Sequence, residues 1–447
     1  MPIQNMPTSL QPAIQQGFLE TEFRTGLTSA IGYRAIADKE SVSINVGETV
    51  TKTRAGLKAP VTTALTPSAN TNLDNGMTPT SQTVEQYTLG IDMYGDSIDL
   101  NIVTSQVGIA NQFLLNAHTN GMQAMQSLDR IARNALFAAY LGGQTRVRTT
   151  LGAPATTINV DDVRGFENVV VNGKVVPVSG TNTAAVTVGL NVYTLTGTAR
   201  DGGNVSTSPN GFSGTLTFSG NVTVADGTAL NGVTHANCPV IVRPAGKWFG
   251  GSAFGIATST AALLAADVLT LGVVEDAVAA LRNNTGIVNE LFNLYLDNVS
   301  MRQLFADQDF KLMYQGQYGS AELRRGKVFQ LMGVNFIPTT EAFVQVLGSI
   351  KVRRPILVAS GALVEGDFAG MEKKAHEMTD GNSEVQMIDS VVQVVRGPID
   401  RLQQIVAQSW FWIGGFVAPT DVTANSNIIP TAGAQYLKRA IVIEHAS

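Results

Sequence analysis

Ala185-Val186-Thr187-Val188-Gly189-Leu190-Asn191-Val192-Tyr193-Thr194-Leu195-Thr196 sits inside a hundred-residue stretch, residues 151–250, whose reading decides the fold. That stretch holds only ten charged residues and fifteen glycines. Residues 185–188 and 191–196 read as strands, and so do 169–171, 214–219 and 240–242. Asn172-Gly173 is a two-residue hairpin signal, since both positions of such a turn need positive φ. Short strands at this spacing, cut by Gly, Asn, Pro and Thr, predict a small antiparallel barrel or sandwich.

The flanks follow other rules. On the N-terminal side, residues 104–141 carry the longest helical pattern, with Met122, Met125, Leu128, Ala132, Ala135 and Leu136 at spacings of three and four. Asp129 and Arg133 support it at i and i+4. Gly121 is expected to weaken or kink it, and Gly142-Gly143 to end it. On the C-terminal side, residues 262–286 predict a second helix with a buried stripe of Leu264, Val268, Leu271, Val274, Val278 and Leu281, capped by Asp267. Residues 292–296 then read as a strand and 297–305 as a short helix. Residues 328–337, 356–359, 388–395 and 439–444 are further strands, and 408–417 is rich in aromatics. The barrel is thus an insert in an α/β body.

Before the long helix, Phe18, Phe23, Leu27 and Ile31 suggest a short amphipathic helix in an arm, residues 1–40, that docks on something else. Val42, Ile44 and Val46 alternate with polar residues. A Thr-, Pro- and Asn-rich middle follows, then Val84, Tyr87, Leu89, Ile91 and Met93. This is a long two-stranded excursion with an irregular tip. Isolated hairpins are marginal in water, so it implies a neighbouring subunit beneath it.

A chain of 447 residues implies two or three domains. Its charged fraction is 15%, against about 25% in typical domains, which suggests an exterior buried against other chains or, alternatively, a β-rich extracellular protein. A net charge of -5 argues against broad basic-patch binding to nucleic acid. The one cysteine, Cys238, excludes an intramolecular disulfide and reads as a small buried hydrophobe. No apolar run is long enough to span a membrane, and the start lacks the regions of a signal peptide, so a protein made and kept in a cytoplasm, or released by lysis, is expected.

No phosphate loop, dinucleotide fingerprint, His-Glu-x-x-His or Gly-x-Ser-x-Gly motif is present. The histidines His118, His235, His376 and His445 are scattered, and His376-Glu377 with Asp380 reads as a solvated loop. Asp161-Asp162 and Glu275-Asp276 fit turns and helix faces. Asp201-Gly202-Gly203-Asn204 and Asp226-Gly227 fit β-turns better than calcium loops. Without a secretory signal, Asn204-Val205-Ser206 and Asn221-Val222-Thr223 are chance glycosylation patterns. Arg324-Arg325, Arg353-Arg354 and Lys373-Lys374 offer phosphate contact or a hydrated turn, without the aromatics of a single-strand groove. Trp410-Phe411-Trp412 with Phe416 reads as core or subunit interface. No catalytic, cofactor-binding or metal-ligating residue is predicted.

The order of segments resembles the major capsid proteins of tailed bacteriophages with the HK97-type fold. Asn70-Thr71-Asn72-Leu73-Asp74-Asn75-Gly76-Met77-Thr78-Pro79, followed by Glu85-Gln86-Tyr87, is similar to the E-loop return of the phage N4-like coat group. Gly326-Lys327-Val328-Phe329-Gln330-Leu331-Met332-Gly333-Val334 resembles the passage into an axial-domain strand. Gly397-Pro398-Ile399-Asp400-Arg401-Leu402-Gln403-Gln404, then Ser409-Trp410, resembles the C-terminal β return. The resemblance covers most of residues 1–150 and 262–447; the insert lies outside it.

It implies an α+β, HK97-like chain. Residues 1–40 would be the arm, 41–103 the E-loop and 104–150 the spine helix. The inserted antiparallel β barrel or sandwich would occupy 151–250, the axial domain 251–384 and the C-terminal return 385–447. It implies no enzyme and no cofactor. Copies of the chain would assemble, as hexamers and pentamers, into an icosahedral shell loosely enclosing double-stranded DNA, with scaffolding, portal and decoration proteins as further partners and no membrane. The place would be the virion, after assembly in the bacterial cytoplasm. Some relatives crosslink neighbours through a Lys–Asn isopeptide bond; Lys52 and Lys58 lie in the corresponding loop, and no crosslink is predicted. The competing readings are an encapsulin-like nanocompartment shell, expected to be shorter and to lack a large insert, a secreted β-rich adhesin and an enzyme.

Overall fold

The computed structural model describes residues 21–27, 32–42, 49–55, 84–101, 112–171, 174–201, 212–236, 238–244, 263–285, 291–312, 330–347, 350–368, 383–397, 404–419 and 438–447, with a few single positions between them. The chain is α+β and divides into two compact units.

The first unit comprises residues 1–50, 88–135 and 363–417. Its sheet runs in the order Ala37–Val42, Leu363–Phe368, Ile405–Val417, Val391–Arg396, Ser383–Ile388, and Asp92–Asn101 also pairs with Ile405–Val417. Along Ile405–Val417 the side chains alternate between the two faces of the pleat. Trp410 and Trp412 are buried on one face, while Phe411 and Ile413 pack with Val385 and Val392 on the other. The tryptophan face is covered by helix α1, residues 21–27, and helix α2, Gln112–Leu141. Phe23 and Leu27 of α1 and Met125 and Leu128 of α2 complete that core. Gly26 and Gly121 let these helices meet: a Cβ on Gly121 would overlap the Phe23 carbonyl oxygen, and one on Gly26 the His118 carbonyl oxygen. Gly121 therefore serves a close crossing, and α2 is assigned as one uninterrupted helix through it.

Residues 388–395 are not one long strand. Asp389 and Ser390 adopt φ of 47° and 69°, and they join Ser383–Ile388 to Val391–Arg396 as a two-residue hairpin. Such a turn matches the twist of the strands it joins. Strand Ala37–Val42 runs parallel to Leu363–Phe368, and residues 43–48, with Ile44 and Val46, lie outside the described residues. Thr49–Ala55 and Val84–Gly90 form a two-stranded sheet of their own.

The second unit comprises residues 51–87, 136–362 and 418–447. The last turn of α2 falls in it: Phe137 stacks on Phe343 with ring centroids 4.9 Å apart, and Tyr140 Oη donates to the Ala362 carbonyl at 3.1 Å. The helix stops as expected, with Gly143 at φ 76°.

A six-stranded antiparallel sheet follows, in the order Gln144–Arg146, Gly232–His235, Ala184–Val188, Asn191–Arg200, Gly214–Val222, Ala155–Val160. Its first and last strands are joined by a bridge between Val147 and Val160, with Arg148 N donating to Asn159 O at 2.8 Å. The sheet thus closes on itself as a barrel, which removes exposed edges. Val186, Val188, Leu195, Leu216, Phe218 and Val233 fill the interior, with Phe166 packed among them. Asn168–Val171 and Lys174–Pro177 form the hairpin announced by Asn172-Gly173. One expected barrel strand belongs elsewhere: Ile241–Val242 pairs in parallel with Ala440–Ile443.

That pairing starts a mixed sheet in the order Ile241–Val242, Ala440–Ile443, Ile356–Val358, Phe292–Leu296, Val334–Pro338, Gln330–Leu331. Helix α3, Leu271–Thr285, buries Val274, Ala277, Val278 and Leu281 in the same core. It starts later than the apolar spacing suggested. Asp267 accepts from Leu264 N at 2.7 Å in the turn before it, Leu264 is 60% exposed, and Leu271 N donates to Asp307 Oδ2 at 2.7 Å. Within the expected strand 328–337, Gln330–Leu331 and Val334–Pro338 form a short hairpin, turned at Met332 and Gly333 with φ of 55° and 79°, and residues 328 and 329 lie outside the described residues. Helix α4, Asn298–Ala306, is capped by the Asp297 carboxylate, which accepts from Val299 N and Ser300 N at 3.2 Å.

Candidate functional site

Three polar centres in the second unit, and a buried ion pair in the first, stand out in the described structure, and none has an open reacting atom. The first has the residue types of a nucleophile and its base. Asp297 caps α4, so Ser300 lies one turn away, and the terminal strand His445–Ala446 brings His445 over it. Ser300 Oγ lies 2.7 Å from His445 Nε2. In a catalytic triad the carboxylate orients the imidazole. Here Asp297 takes the Ser300 hydroxyl instead, along with the Arg353 guanidinium, and His445 Nδ1 faces the Ala446 carbonyl at 3.1 Å. Ser300 and His445 are fully buried, so no substrate reaches them. Burial brings His445 down to about 4, with Ala446 and Asp297 opposing it, so the ring is neutral at pH 7. The arrangement ties the chain's last strand to a helix start.

The second centre is Glu444 between two arginines. Arg243 Nε meets its Oε2 at 2.7 Å and Arg354 Nε its Oε1 at 2.9 Å, all three groups being buried. Burial alone would raise this carboxyl; Arg243 and Arg354 outweigh it and hold it at about 2. In the first unit, Arg34 and Glu365 form a buried pair at 2.6 Å, extended by Asp389 and by Lys39 at 3.0 Å from it. Residues of such buried pairs have few sequence marks. The readable signal for Glu444 is a lone carboxylate at the end of the apolar run Ala440-Ile441-Val442-Ile443.

The third centre is Asp226. Its carboxylate accepts from Leu190 N, Asn191 Nδ2, Tyr193 Oη and Thr223 Oγ1, at 3.2, 2.8, 2.6 and 2.8 Å. Burial opposes these donors, and together they win, taking the group to about 2. A carboxylate so occupied is a turn fastener. The two loops it ties expose Leu190, Val192, Val224 and Leu230, with Leu190 93% exposed.

The other residues singled out in the sequence have structural partners. Arg353 and Arg354 pair with Asp297 and Glu444 and are not a hydrated turn. Asp161 pairs with Arg146, and Asp162 with Arg164 at 2.6 Å. Asp201 pairs with Arg148 at 2.9 Å. Cys238 is buried, and burial raises its thiol to about 11. His118 Nδ1 lies 3.7 Å from Glu22 Oε2, and His235 is buried and lowered to about 4 by burial and then by Lys438. Burial raises the Asp276 carboxyl. Lys52 lies in strand Thr49–Ala55. His376, Asp380, Lys58, Arg324-Arg325, Lys373-Lys374 and Asn204-Val205-Ser206 lie outside the described residues. Among the described residues, no group of three or more His, Cys, Asp or Glu comes together as a metal site, and no helix is long and apolar enough to cross a membrane.

No protein-family profile and no curated protein matches the chain. Its fold is similar to solved phage capsids. The capsid of the cyanophage P-SCSP1u is 10% identical, with 94% of this chain and 89% of that one covered and a TM-score of 0.46. The capsid of Ralstonia phage GP4 is 13% identical, with the same coverage and TM-score. Mycobacterium phage Che8 is 9% identical, with 93% and 92% covered and a TM-score of 0.41.

Proposed function

We propose that this chain is the major capsid protein of a tailed bacteriophage, self-assembling into an icosahedral shell around double-stranded DNA. The observation that carries the reading is the ribbon Thr49–Ala55 and Val84–Gly90. It is a sheet of two strands, with no third among the described residues. Its base packs on the first unit, where Val50 and Leu89 join Val42, Ile413 and Val417; a two-stranded ribbon is marginal by itself in water, and a neighbouring copy would supply the surface for the part beyond that base. The order of elements supports the same reading: ribbon, a 30-residue helix, then a helix-backed mixed sheet. The buried centres described above are structural fasteners, which suits a protein whose work is assembly.

The roles follow from that order. Residues 1–40 act as the arm, 41–103 as the E-loop, 104–150 as the spine and 151–250 as the insert. Residues 251–384 form the axial domain and 385–447 the return. Copies meet as hexamers and pentamers, scaffolding, portal and decoration proteins join them, and DNA is enclosed without tight binding. The chain is assembled in the host cytoplasm and ends in the virion. The insert contacts neighbouring capsomers or a decoration protein, a role supported by the exposed apolar side chains on its Asp226-tied loops.

Electron microscopy of the expressed chain tests the proposal. Closed shells or capsomer rings are expected; a chain that stays monomeric at high concentration overturns it.

A further inference from the structure

The barrel ends in apolar side chains that the fold exposes and holds rigid. Strands Ala184–Val188 and Asn191–Arg200 turn at Gly189-Leu190, with Gly189 at φ 59°. Gly189 N donates to Gly232 O at 2.9 Å, and at the other end of strand Gly232–His235 the His235 N donates to Gly143 O at 2.7 Å. The turn therefore lies at the end of the barrel away from the point where the chain enters. There Leu190 is 93% and Val192 68% exposed, and Val224 and Leu230 stand exposed on the adjoining loop. The two loops are fastened to each other: Asp226 accepts from Leu190 N, Asn191, Tyr193 and Thr223, and Asn231 Nδ2 donates to Ala225 O at 2.8 Å and to Asp226 O at 2.9 Å. Leu230 is held at φ 74°, a conformation that suits Gly or Asn better than leucine. Exposure and strain at these leucines do nothing for the barrel's own core, and backbone strain of this kind gathers where a surface is used. A rigid apolar patch loses little freedom on being covered.

We propose that this patch is a self-contact, in which Leu190 and its neighbours meet the same patch on a second copy of the chain across a two-fold axis. The inference rests on the shell reading and names the partner of the insert within it. Charge and area select that occupant. Residues 149–160, 184–199 and 214–231 hold one charged residue, Asp226, which is 4% exposed and engaged by the donors above. A two-fold contact sets like against like, which a charged patch forbids and an uncharged one permits. Four side chains of about 100 Å² each fall well short of the ~800 Å² per partner that a free-standing complex buries. A separate protein docked on them alone would be held weakly. A copy already fixed alongside by the shell meets them at high effective concentration, so a small contact suffices.

Variants at Leu190 of the full-length chain test it. In Leu190→Cys the new thiol is exposed and Cys238 is buried, so a short thiol–thiol crosslinker should turn the chains of assembled particles into dimers and leave unassembled chains monomeric. Leu190→Glu and Leu190→Lys should fold as the wild type does, because the site is exposed. Each should lower the temperature at which particles come apart, and particles co-assembled from equal amounts of the two should melt above both, since opposite charges then face each other. Assembly of the two variants only as a mixture supports the contact in the same way. No dimer in particles, as much dimer in unassembled chains, or mixed particles that melt no higher than the mean of the pure ones overturns the self-contact in favour of a different partner. Particles without the contact overturn the contact alone; a wild type that forms no particles overturns the shell reading and this contact with it.

Discussion

Gly121 and Gly272 lie in helices and invite the same substitution, yet the outcomes should be opposite. Alanine usually gains up to about 1 kcal/mol over glycine inside a helix. At Gly121 that gain meets a backbone carbonyl, Phe23 O, which cannot rotate aside. Gly121→Ala is expected to destabilise by about 1–3 kcal/mol, the range for overpacking. Gly272 has nothing near its missing Cβ, and Gly272→Ala should stabilise by about 0.4–1 kcal/mol. Thermal unfolding of both variants checks the pair; equal shifts would refute the crossing argument. The buried histidines give a pH dependence. His235 and His445 titrate near about 4 when folded, below the ordinary 6.5. As pH falls, the unfolded chain binds protons first, so stability is full above about 6.5 and is lost between there and about 4. Glu444, held at about 2 against 4.5, adds a second loss between those values. Denaturant midpoints measured from pH 8 to 3 should decline from near 6.5. His445→Gln should flatten the upper part of that decline, and an unchanged profile would remove His445 from the account.

At the scale of elements, caps and turns decided where the pattern was legible. Asp297 follows strand Phe292–Leu296 and caps α4 while also taking Arg353. Asp297→Ala should cost about 2–4 kcal/mol, from a cap worth about 1 and a part-buried arginine left without its carboxylate. Asp297→Asn keeps an acceptor and should recover about 1 kcal/mol of that, as read by chemical denaturation. Asp267 offered the same signal one helix earlier and was misleading. Spacing extends the apolar stripe to Leu264, but Leu264 is exposed and the helix waits for Leu271, whose amide finds Asp307. Such a partner, distant in sequence, leaves no local mark. Two strands were read as continuous because Met332-Gly333 and Asp389-Ser390 turn within apolar runs; Gly333 and Asp389 are usual turn residues at positive φ, whereas Met332 and Ser390 are not. The barrel's central strands were legible because their alternation is local. Gln144–Arg146 and Ala155–Val160 were missed, because their partners, Gly232–His235 and Gly214–Val222, lie far along the chain and leave no local mark. The buried Arg243–Glu444–Arg354 centre was invisible for the same reason: its members are brought together by three different strand ends.

At the scale of the molecule, the barrel is inserted through a narrow neck. Its first strand, Gln144–Arg146, pairs with its returning strand, Gly232–His235, and His235 N donates to Gly143 O at 2.7 Å. Entry and exit therefore lie side by side, the condition under which a module can be removed without moving its host. A chain in which residues 144–236 are replaced by a short Gly-Ser joint should keep α2, which already stops at Gly143, and the mixed sheet, whose first strand begins at Ile241. Removal of residues 151–250 is a different operation. It strips Ile241–Val242 from the sheet edge, takes Arg243 from buried Glu444 and leaves Gln144–Arg146 without a partner. A buried carboxylate losing one of two cations costs several kcal/mol, comparable with the stability of a whole domain. The first deletion should yield soluble protein with a cooperative thermal transition, and the second aggregates. Soluble, cooperative protein from both would show that Ile241–Val242 and Arg243 are dispensable. If the insert braces a shell, particles from the first deletion should also form and then melt at lower temperature than intact ones. Particles of unchanged size and melting temperature would leave the barrel without a bracing role and direct attention to its exposed Leu190 loop as a site for another protein.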